Sequence, residues 1–154
     1  MMEIFVVASS LLAIIFGAIL IRVVSKKDKG SDKMQEIAKA IQEGAKTFLK
    51  REYLYLAVFA IILAVILFIF INPLTALSFV IGAILSALAG YIGMMVATTA
   101  NVRTAQAARS GINPALKVAF SSGTIMGMMV AGFGLLGLSV LYLIIYILNF
   151  LYTI

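Results

Sequence analysis

Positive charge in this chain is confined to two short stretches, and that confinement restricts how the chain can cross a membrane. All twelve Lys and Arg residues lie in the windows 22–51 and 103–117. Cytoplasmic loops of membrane proteins carry an excess of Lys and Arg. If both windows are cytoplasmic, the apolar segments before, between and after them form four spans, and both termini lie outside the cytoplasm.

Composition places the chain among membrane proteins. Of its 154 residues, 64% are hydrophobic and 12% are charged, about half the roughly 25% charged residues of an ordinary soluble domain. The net charge of +6 is the positive-inside excess, which also attracts anionic lipid headgroups. Because the basic windows adjoin apolar spans, we expect no nucleic-acid partner. The absence of Cys and His excludes disulfides and thiolate metal sites, and removes the commonest general base.

The apolar runs predict an all-α membrane protein that forms a single transmembrane unit over residues 1–154. The predicted spans are about 4–24, 53–71, 74–100 and 118–150. Helical composition continues past the third run to Arg109, so helices three and four each approach forty residues, or about 55–60 Å. Since the hydrocarbon core is only about 30 Å thick, we expect their charged ends to project into the cytoplasm.

The segment 34–51, between the first two spans, is predicted to be a cytoplasmic amphipathic helix. Ser31 or Asp32 is the predicted N-cap, whose side-chain oxygen would accept a free backbone N–H. We expect the helix to lie on the membrane surface or against a partner helix. We also expect a neighbour to pack on Gly44, because glycine inside a helix costs about 1 kcal/mol relative to alanine. Apolar residues recur at helical spacing at Met34, Ile37, Ala38, Ile41, Ala45, Phe48 and Leu49.

Small residues at four-residue steps predict tight packing between the third and fourth spans, because they let helix backbones approach closely in lipid. An ion or ligand path lined by small groups is the alternative interpretation. Methionines nearby are interpreted as packing filler. The pattern is carried by Gly82, Ser86 and Gly90, by Gly123, Gly127 and Ala131, and by the methionines Met126, Met128 and Met129.

The predicted spans carry no ionisable group in their interior, although ion pumps and transporters need such groups there. The sequence also lacks a glycine-rich phosphate loop, an HExxH motif and a tight acidic cluster that could hold Mg²⁺. We therefore predict no catalytic residue, no cofactor-binding residue and no metal ligand in this chain. These residues alone describe a small four-span membrane protein or a piece of something larger.

Two stretches nevertheless resemble one protein family. Residues 40–53 contain the pattern I-x-E-G-A-x-x-F-L-x-R-E-Y, and residues 93–109 the pattern G-M-x-x-A-T-x-A-N-V-R-T-A-x-A-A-R. Residues 114–120, followed by 123–127, look like the start of the same family's fourth span. From Gly30 onward the chain resembles the N-terminal part of the membrane-bound, ion-translocating inorganic pyrophosphatases.

The resemblance implies a full-length protein of about sixteen spans that works as a homodimer. It implies hydrolysis of pyrophosphate with Mg²⁺ on the cytoplasmic side, movement of H⁺ or Na⁺ outward, and K⁺ as a candidate second cofactor. The family's substrate-binding acidic motifs begin on its fifth span, so no catalytic residue is carried over to this sequence. Its four spans would form part of an outer ring and act as a scaffold, inactive alone, surrounded by lipid and by the remaining spans.

The expected location is a prokaryotic cell membrane, with both termini outside and the loops 22–52 and 101–117 cytoplasmic. Arg103 and Arg109 are expected to fix the cytoplasmic surface through salt bridges or contacts to carbonyls at helix ends, and a direct phosphate contact is the alternative. For the whole chain, the alternative function is a stand-alone four-span protein that binds lipid or a partner through residues 34–51. The sequence does not distinguish H⁺ from Na⁺.

Overall fold

The computed structural model describes the backbone of residues 2–153 and the side chains of residues 4–147. This part of the chain forms four long helices: α1 (Met2–Ser25), α2 (Asp32–Phe70), α3 (Pro73–Ala108) and α4 (Ile112–Thr153). Each helix is long enough and apolar enough to cross a membrane. The predicted all-α fold with four spanning helices is therefore confirmed.

The turn between α2 and α3 follows from Asn72 and Pro73. Asn72 is the N-cap of α3, and its Oδ1 accepts a hydrogen bond from the Thr75 backbone N–H at 2.7 Å. Pro73 suits the first helical position, where its missing N–H has no partner to lose. The turn falls in the gap between the second and third predicted spans, and α3 begins at Pro73, one residue before the predicted third span.

The start of α2 differs in detail from the prediction. Ser31 occupies the N-cap position, but its side chain makes no capping hydrogen bond. Its backbone carbonyl accepts from the Gln35 N–H at 3.0 Å, and the Gln35 side-chain amide donates to the Gly30 carbonyl at 3.0 Å. The predicted cap position is thus confirmed, whereas the predicted side-chain bond is wrong.

The amphipathic segment and the second span form one continuous helix, α2. Between residues 45 and 71 there is neither Pro nor Gly, and these residues are the usual causes of a sharp kink. A helix without a kink cannot both lie flat on a membrane and cross it. Gln35, Ala38 and Gln42 in the N-terminal part of α2 line one cavity with residues 99–103 of α3. This part of α2 therefore lies against α3, which is the second of the two predicted positions.

α3 covers only part of the predicted apolar face of α2. Ala38 and Leu49 are buried, but Ile37, Ile41 and Phe48 stay about half exposed. A Cβ built on Gly44 would meet no atom within 4 Å. The predicted neighbour of Gly44 is therefore wrong for the described residues, and the apolar stripe beside it is uncovered there.

The helices form a row in the order α2, α3, α4 and α1, with a smaller additional contact between α1 and α3. The buried core is built from α1, α3 and α4. At the outer edge of the row, most large apolar side chains in the second half of α2 are exposed, so in a membrane they face lipid or further protein. The core residues are Val24, Ala100, Val118, Ile125 and Met129.

Glycines and methionines fit together where the helices approach. A Cβ at Gly93 would lie 2.9 Å from Met126 Cγ, and one at Gly17 would lie 2.7 Å from Met129 Cε. Gly132 likewise faces α1, where a Cβ would lie 2.6 Å from Ile14 Cγ1 and 3.2 Å from the Ser10 carbonyl oxygen. These contacts confirm that methionines and small residues pack the helices.

The four-residue stripes are only partly used in this packing. Gly90 faces the Tyr53 hydroxyl, but Gly82, Gly123 and Gly127 would each present a Cβ to open space, with no atom within 4 Å. For these three glycines the predicted tight contact is absent from the part of the chain that the structure describes. The face of α4 that carries Gly123 and Gly127 is exposed.

Candidate functional site

The two basic windows meet at one end of the helix row, in a polar group that we call the loop-end cluster: the α1–α2 connection 26–31 and the last turns of α3. Arg103 Nη2 donates to the carbonyl of Ser25, the last residue of α1, at 2.9 Å. Gln106 Nε2 donates to Asp28 Oδ2 at 2.9 Å. The prediction that both windows lie on the same side is therefore confirmed within the fold.

Arg103 is the most deeply buried charge of this cluster, with 5% of the residue exposed. Besides Ser25, its guanidinium reaches the Thr99 carbonyl one turn earlier, to which Nη1 donates at 2.6 Å. Free carbonyls at a helix C-terminus carry partial negative charge, so Ser25 is a suitable partner for a cation. The predicted contact of Arg103 with a helix-end carbonyl is confirmed.

Asp28 organises the α1–α2 connection through an Asx-type turn, in which its Oδ1 accepts from the Gly30 N–H at 3.0 Å. Gly30 has a φ of 74°, which residues with a Cβ rarely adopt. A Cβ at this position would also lie 2.6 Å from Met34 Sδ and 2.9 Å from Gln106 Oε1. The backbone conformation therefore favours glycine at this position, and a Cβ would in addition displace the ends of the Met34 and Gln106 side chains.

These hydrogen bonds hold the pKa of the Asp28 carboxyl below its ordinary value of 3.8. The Gly30 N–H has the largest effect, the Gln106 amide comes next, and the positive charge of Arg109 contributes least. Asp28 is consequently ionised at neutral pH. Arg109 itself is exposed, and its side chain makes none of the predicted contacts with described residues beyond this attraction.

A cavity of about 250 Å³ lies between the loop-end cluster and the N-terminal part of α2. Its polar lining combines two cations with amides and a hydroxyl, and it includes no carboxylate. The Nε of Arg103 is buried and has no hydrogen-bond partner among the described residues. Such a lining favours anions. The cavity is lined by Lys29, Gln35, Ala38, Gln42, Thr99, Val102 and Arg103.

The described residues do not fit a metal site. No three of their Asp and Glu side chains lie close enough together to hold an ion, and both oxygens of Asp28 already accept hydrogen bonds. Mg²⁺ needs carboxylates that are free to complete a near-octahedral oxygen shell. We therefore assign the Mg²⁺ implied by the family resemblance to no residue described here.

The first family-like stretch ends on a contact that the sequence analysis missed. Tyr53 Oη donates to the Ala87 carbonyl of α3 at 2.7 Å, and a Cβ at Gly90 would lie only 3.2 Å from that hydroxyl oxygen. A tyrosine at the junction of charged and apolar sequence was a usable signal. Its ring can face apolar surroundings while its hydroxyl needs a partner.

The loop-end cluster was also predicted only in part, because the sequence patterns above assigned no role to Asp28, Gly30 or Gln106. The spacing Asp-x-Gly is typical of an Asx turn. Gln106 follows Arg103 by three residues, which places both on one face of a helix. Together these two patterns indicate a loop held against the end of α3.

Comparison with known proteins identifies the family. The profile of the family described as "Inorganic H+ pyrophosphatase" matches residues 11–152. The chain belongs to this family. The resemblance carried by residues 40–53 and 93–109 is thereby confirmed.

Several curated relatives are named as ion pumps. A "Putative K(+)-stimulated pyrophosphate-energized sodium pump" of Clostridium tetani is 52% identical over 82% of this chain and 19% of that relative. A "K(+)-stimulated pyrophosphate-energized sodium pump" of Thermotoga maritima is 46% identical over 87% of this chain and 19% of that relative. A "K(+)-insensitive pyrophosphate-energized proton pump" of Methanosarcina mazei is 44% identical, with 88% and 21% covered. The chain thus spans about a fifth of their length.

Proposed function

We propose that residues 1–154 are the N-terminal outer part of a primary pump that hydrolyses pyrophosphate and moves H⁺ or Na⁺ out of the cytoplasm. The family match over residues 11–152 carries this proposal, and relatives named as sodium pumps and proton pumps support it. In the proposal, Mg²⁺, pyrophosphate and, in K⁺-stimulated pumps, K⁺ act at parts of the pump outside these residues.

The role proposed for this chain is that of a scaffold. A path for ions through a membrane needs charged or titratable groups in its interior, and residues 53–102 and 118–147 contain no Asp, Glu, Lys, Arg or His. The ion path and the hydrolytic site are therefore proposed to lie in other spans of a homodimeric pump. The four helices shield those spans from lipid and hold the cytoplasmic helix ends.

Two surfaces that are uncovered in residues 4–147 support a neighbour, which is another span on α4 and lipid on α2. On α4, Gly123, Gly127 and Gly134 have no atom within 4 Å of a Cβ built on them, and small residues in lipid mark sites of close helix approach. On α2, most large apolar residues of the second half are exposed. We propose that the glycine face of α4 receives another helix of the pump and that α2 faces lipid.

The proposed topology puts both termini outside a prokaryotic cell membrane, with spans at about 4–24, 53–71, 74–100 and 118–150. The loops 22–52 and 101–117 are then cytoplasmic. Because the chain has no Cys, a single introduced cysteine reports its own side of the membrane. A cysteine replacing Asn72 should react with an impermeant reagent added outside cells, whereas one replacing Lys27 or Gly111 should not. The reverse labelling pattern would contradict this topology.

Hydrolysis and transport are tested on the natural protein that carries residues 1–154, at whatever length its gene encodes. Reconstituted in vesicles, it should hydrolyse pyrophosphate only with Mg²⁺ and should move H⁺ or Na⁺ at the same time. Residues 1–154 alone should do neither. Turnover by residues 1–154 alone would remove the scaffold role. A stop codon directly after Ile154, with no pump activity in the natural protein, would favour the stand-alone four-span protein instead.

A further inference from the structure

We propose that the cavity beside Arg103 binds a phosphate group, supplied either by free phosphate or by the headgroup of an anionic phospholipid. The cavity lies outside any hydrolytic site assigned above, and the inference does not depend on the pump function. It rests on an unbalanced buried charge, on the second cation at the same cavity, and on the size of the space.

The charge of Arg103 is buried without a counter-ion. Among the described residues the only ion pair joins Lys33 and Glu36, so Arg103 has no carboxylate partner there. The carbonyls of Thr99 and Ser25 accept from its two terminal nitrogens, but a carbonyl carries only a partial charge. Buried charges in proteins are ordinarily paired. The Nε has no hydrogen-bond partner among the described residues, and the positive charge of the side chain has no counter-ion there.

The other residues that line the cavity also favour an anion. Lys29 lines the same cavity and makes no ion pair with a described carboxylate. The nearby Asp28 uses its two oxygens for Gly30 and Gln106. The positive charges of Lys29 and Arg103 repel each other, and an anion bound between them would offset that repulsion. The amide of Gln42 and the hydroxyl of Thr99 add hydrogen-bond donors suited to several oxygens on one centre.

The cavity volume restricts the occupant to a small group. Pockets for drug-sized ligands measure about 300–1,000 Å³, and this cavity measures about 250 Å³. The planar fork of a guanidinium matches the oxygens of phosphate, whereas a lysine acts as a compact point charge. The cavity lies where the polar α1–α2 connection meets the ends of the apolar spans, so both dissolved anions and lipid headgroups can reach it.

Chemical labelling of Lys29 provides a site-specific test on the natural protein that carries these residues. An amine-reactive reagent is applied in detergent with and without inorganic phosphate, and in nanodiscs of phosphatidylcholine with and without phosphatidylglycerol. Mass spectrometry then compares Lys29 with Lys39, an exposed lysine of α2 that does not line the cavity. We expect labelling of Lys29 to fall severalfold with the occupant present and labelling of Lys39 to stay unchanged.

Variants connect this protection to the proposed residues. Arg103→Gln should weaken binding about tenfold or more, since a hydrogen bond to a charged group is lost, and Arg103→Lys should restore part of the affinity. Because Arg103 also holds the end of α1, Lys29→Gln provides a variant that spares this contact. The occupant should raise the unfolding temperature of Lys29→Gln less than that of the unchanged protein. It should raise the unfolding temperature of Lys39→Gln as much as that of the unchanged protein.

The outcomes separate the two sources and can overturn the proposal. Protection by inorganic phosphate in detergent identifies a free anion, and protection only in phosphatidylglycerol nanodiscs identifies a lipid headgroup. Equal protection of Lys39, or no protection in either medium, overturns the phosphate site. A carboxylate from elsewhere in the natural protein in contact with Arg103 would also overturn the phosphate site.

Discussion

Glycine and apolar side chains form the contact between α1 and α4. Charged and amide groups form the contact of α3 with the end of α1 and with the α1–α2 connection. Gly132 of α4 lies against Ile14 and the Ser10 carbonyl of α1, in a contact that depends on the absence of a side chain. Arg103 reaches the Ser25 carbonyl with a long side chain and a full charge. Close packing therefore stabilises the membrane part, and donor–acceptor pairing stabilises the loop-end cluster.

This difference predicts which substitutions each region should tolerate. In lipid there is no hydrophobic driving force between helices, so association relies on close contact and on a few hydrogen bonds. A single added methyl group matters at such a contact. In the loop-end cluster, volume matters less than the loss of a donor or an acceptor, because an unpaired buried polar group is costly.

The largest effect is expected from an added methyl group at Gly132. Gly132→Ala would place a Cβ 2.6 Å from Ile14 Cγ1 and 3.2 Å from a backbone oxygen, and neither atom is the free end of a flexible side chain. Overpacking of this kind costs about 1–3 kcal/mol. Gly134→Ala is the matched control on the same helix, because its Cβ meets no atom within 4 Å. Thermal or denaturant unfolding of residues 1–154 in detergent measures the difference.

The comparison of these two alanines cancels the gain in helix propensity that both share. Equal stability of the two variants would contradict close packing at Gly132. Alanine variants on the open face of α4 also test the proposed function when they are made in the full natural protein. If another span packs on the open face of α4, Gly127→Ala and Gly134→Ala should become destabilising there, although they are harmless in residues 1–154 alone.

The sequence predicted the four helices and a common side for the two basic windows, because long apolar runs and segregated charge are properties of whole segments. It did not predict which glycines are covered. Gly123 and Gly127 follow the four-residue step and are open, whereas Gly132 falls outside the step and is packed. The spacing along one helix indicates a face of small residues, but the position of the neighbouring helix determines which part of that face is packed.

The same reason explains the errors on α2. Its N-terminal part shows apolar periodicity, yet Ile37 and Phe48 remain about half exposed while Ala38 is buried. α3 approaches the side where small residues and Gln42 permit a polar cavity. Arg103 was correctly expected to contact a helix-end carbonyl, since few partners for a cation are available beside an apolar span. Which helix supplied the carbonyl depended on the tertiary contact with α1.

A smaller effect is expected from the polar contact within the membrane part. Tyr53→Phe removes the hydroxyl that donates to the Ala87 carbonyl at 2.7 Å and leaves the ring in place. Hydrogen bonds between membrane helices contribute about 0.6 kcal/mol on average and up to about 1.7 kcal/mol, so a loss in this range is expected on unfolding. Tyr55→Phe is the control, because Tyr55 is 74% exposed. Equal losses for both tyrosines would show that the α2–α3 hydrogen bond contributes nothing.

The smallest effect is expected at Asp28, because this residue of the loop-end cluster is exposed to water and its charge is screened. Asp28→Asn keeps the shape but weakens the bonds from the Gly30 N–H and the Gln106 amide. Thermal unfolding of both proteins should show a modest destabilisation at neutral pH. Gln106→Ala should remove part of the same stabilisation, and the double variant should lose less than the sum of the two single losses.

The pH dependence of that difference tests its electrostatic origin. The pKa of Asp28 is lowered in the folded protein, first by the Gly30 N–H and then by Gln106, so the folded state favours the ionised carboxylate. Its contribution to stability is therefore fully present above the ordinary pKa of 3.8 and is lost as the pH falls through the lower folded value. The gap between the unchanged protein and Asp28→Asn should stay constant from neutral pH down to about 5 and close below 3.8. A gap that widens on acidification would mean that the neutral carboxyl is the bonded form, which would reverse the account of this turn.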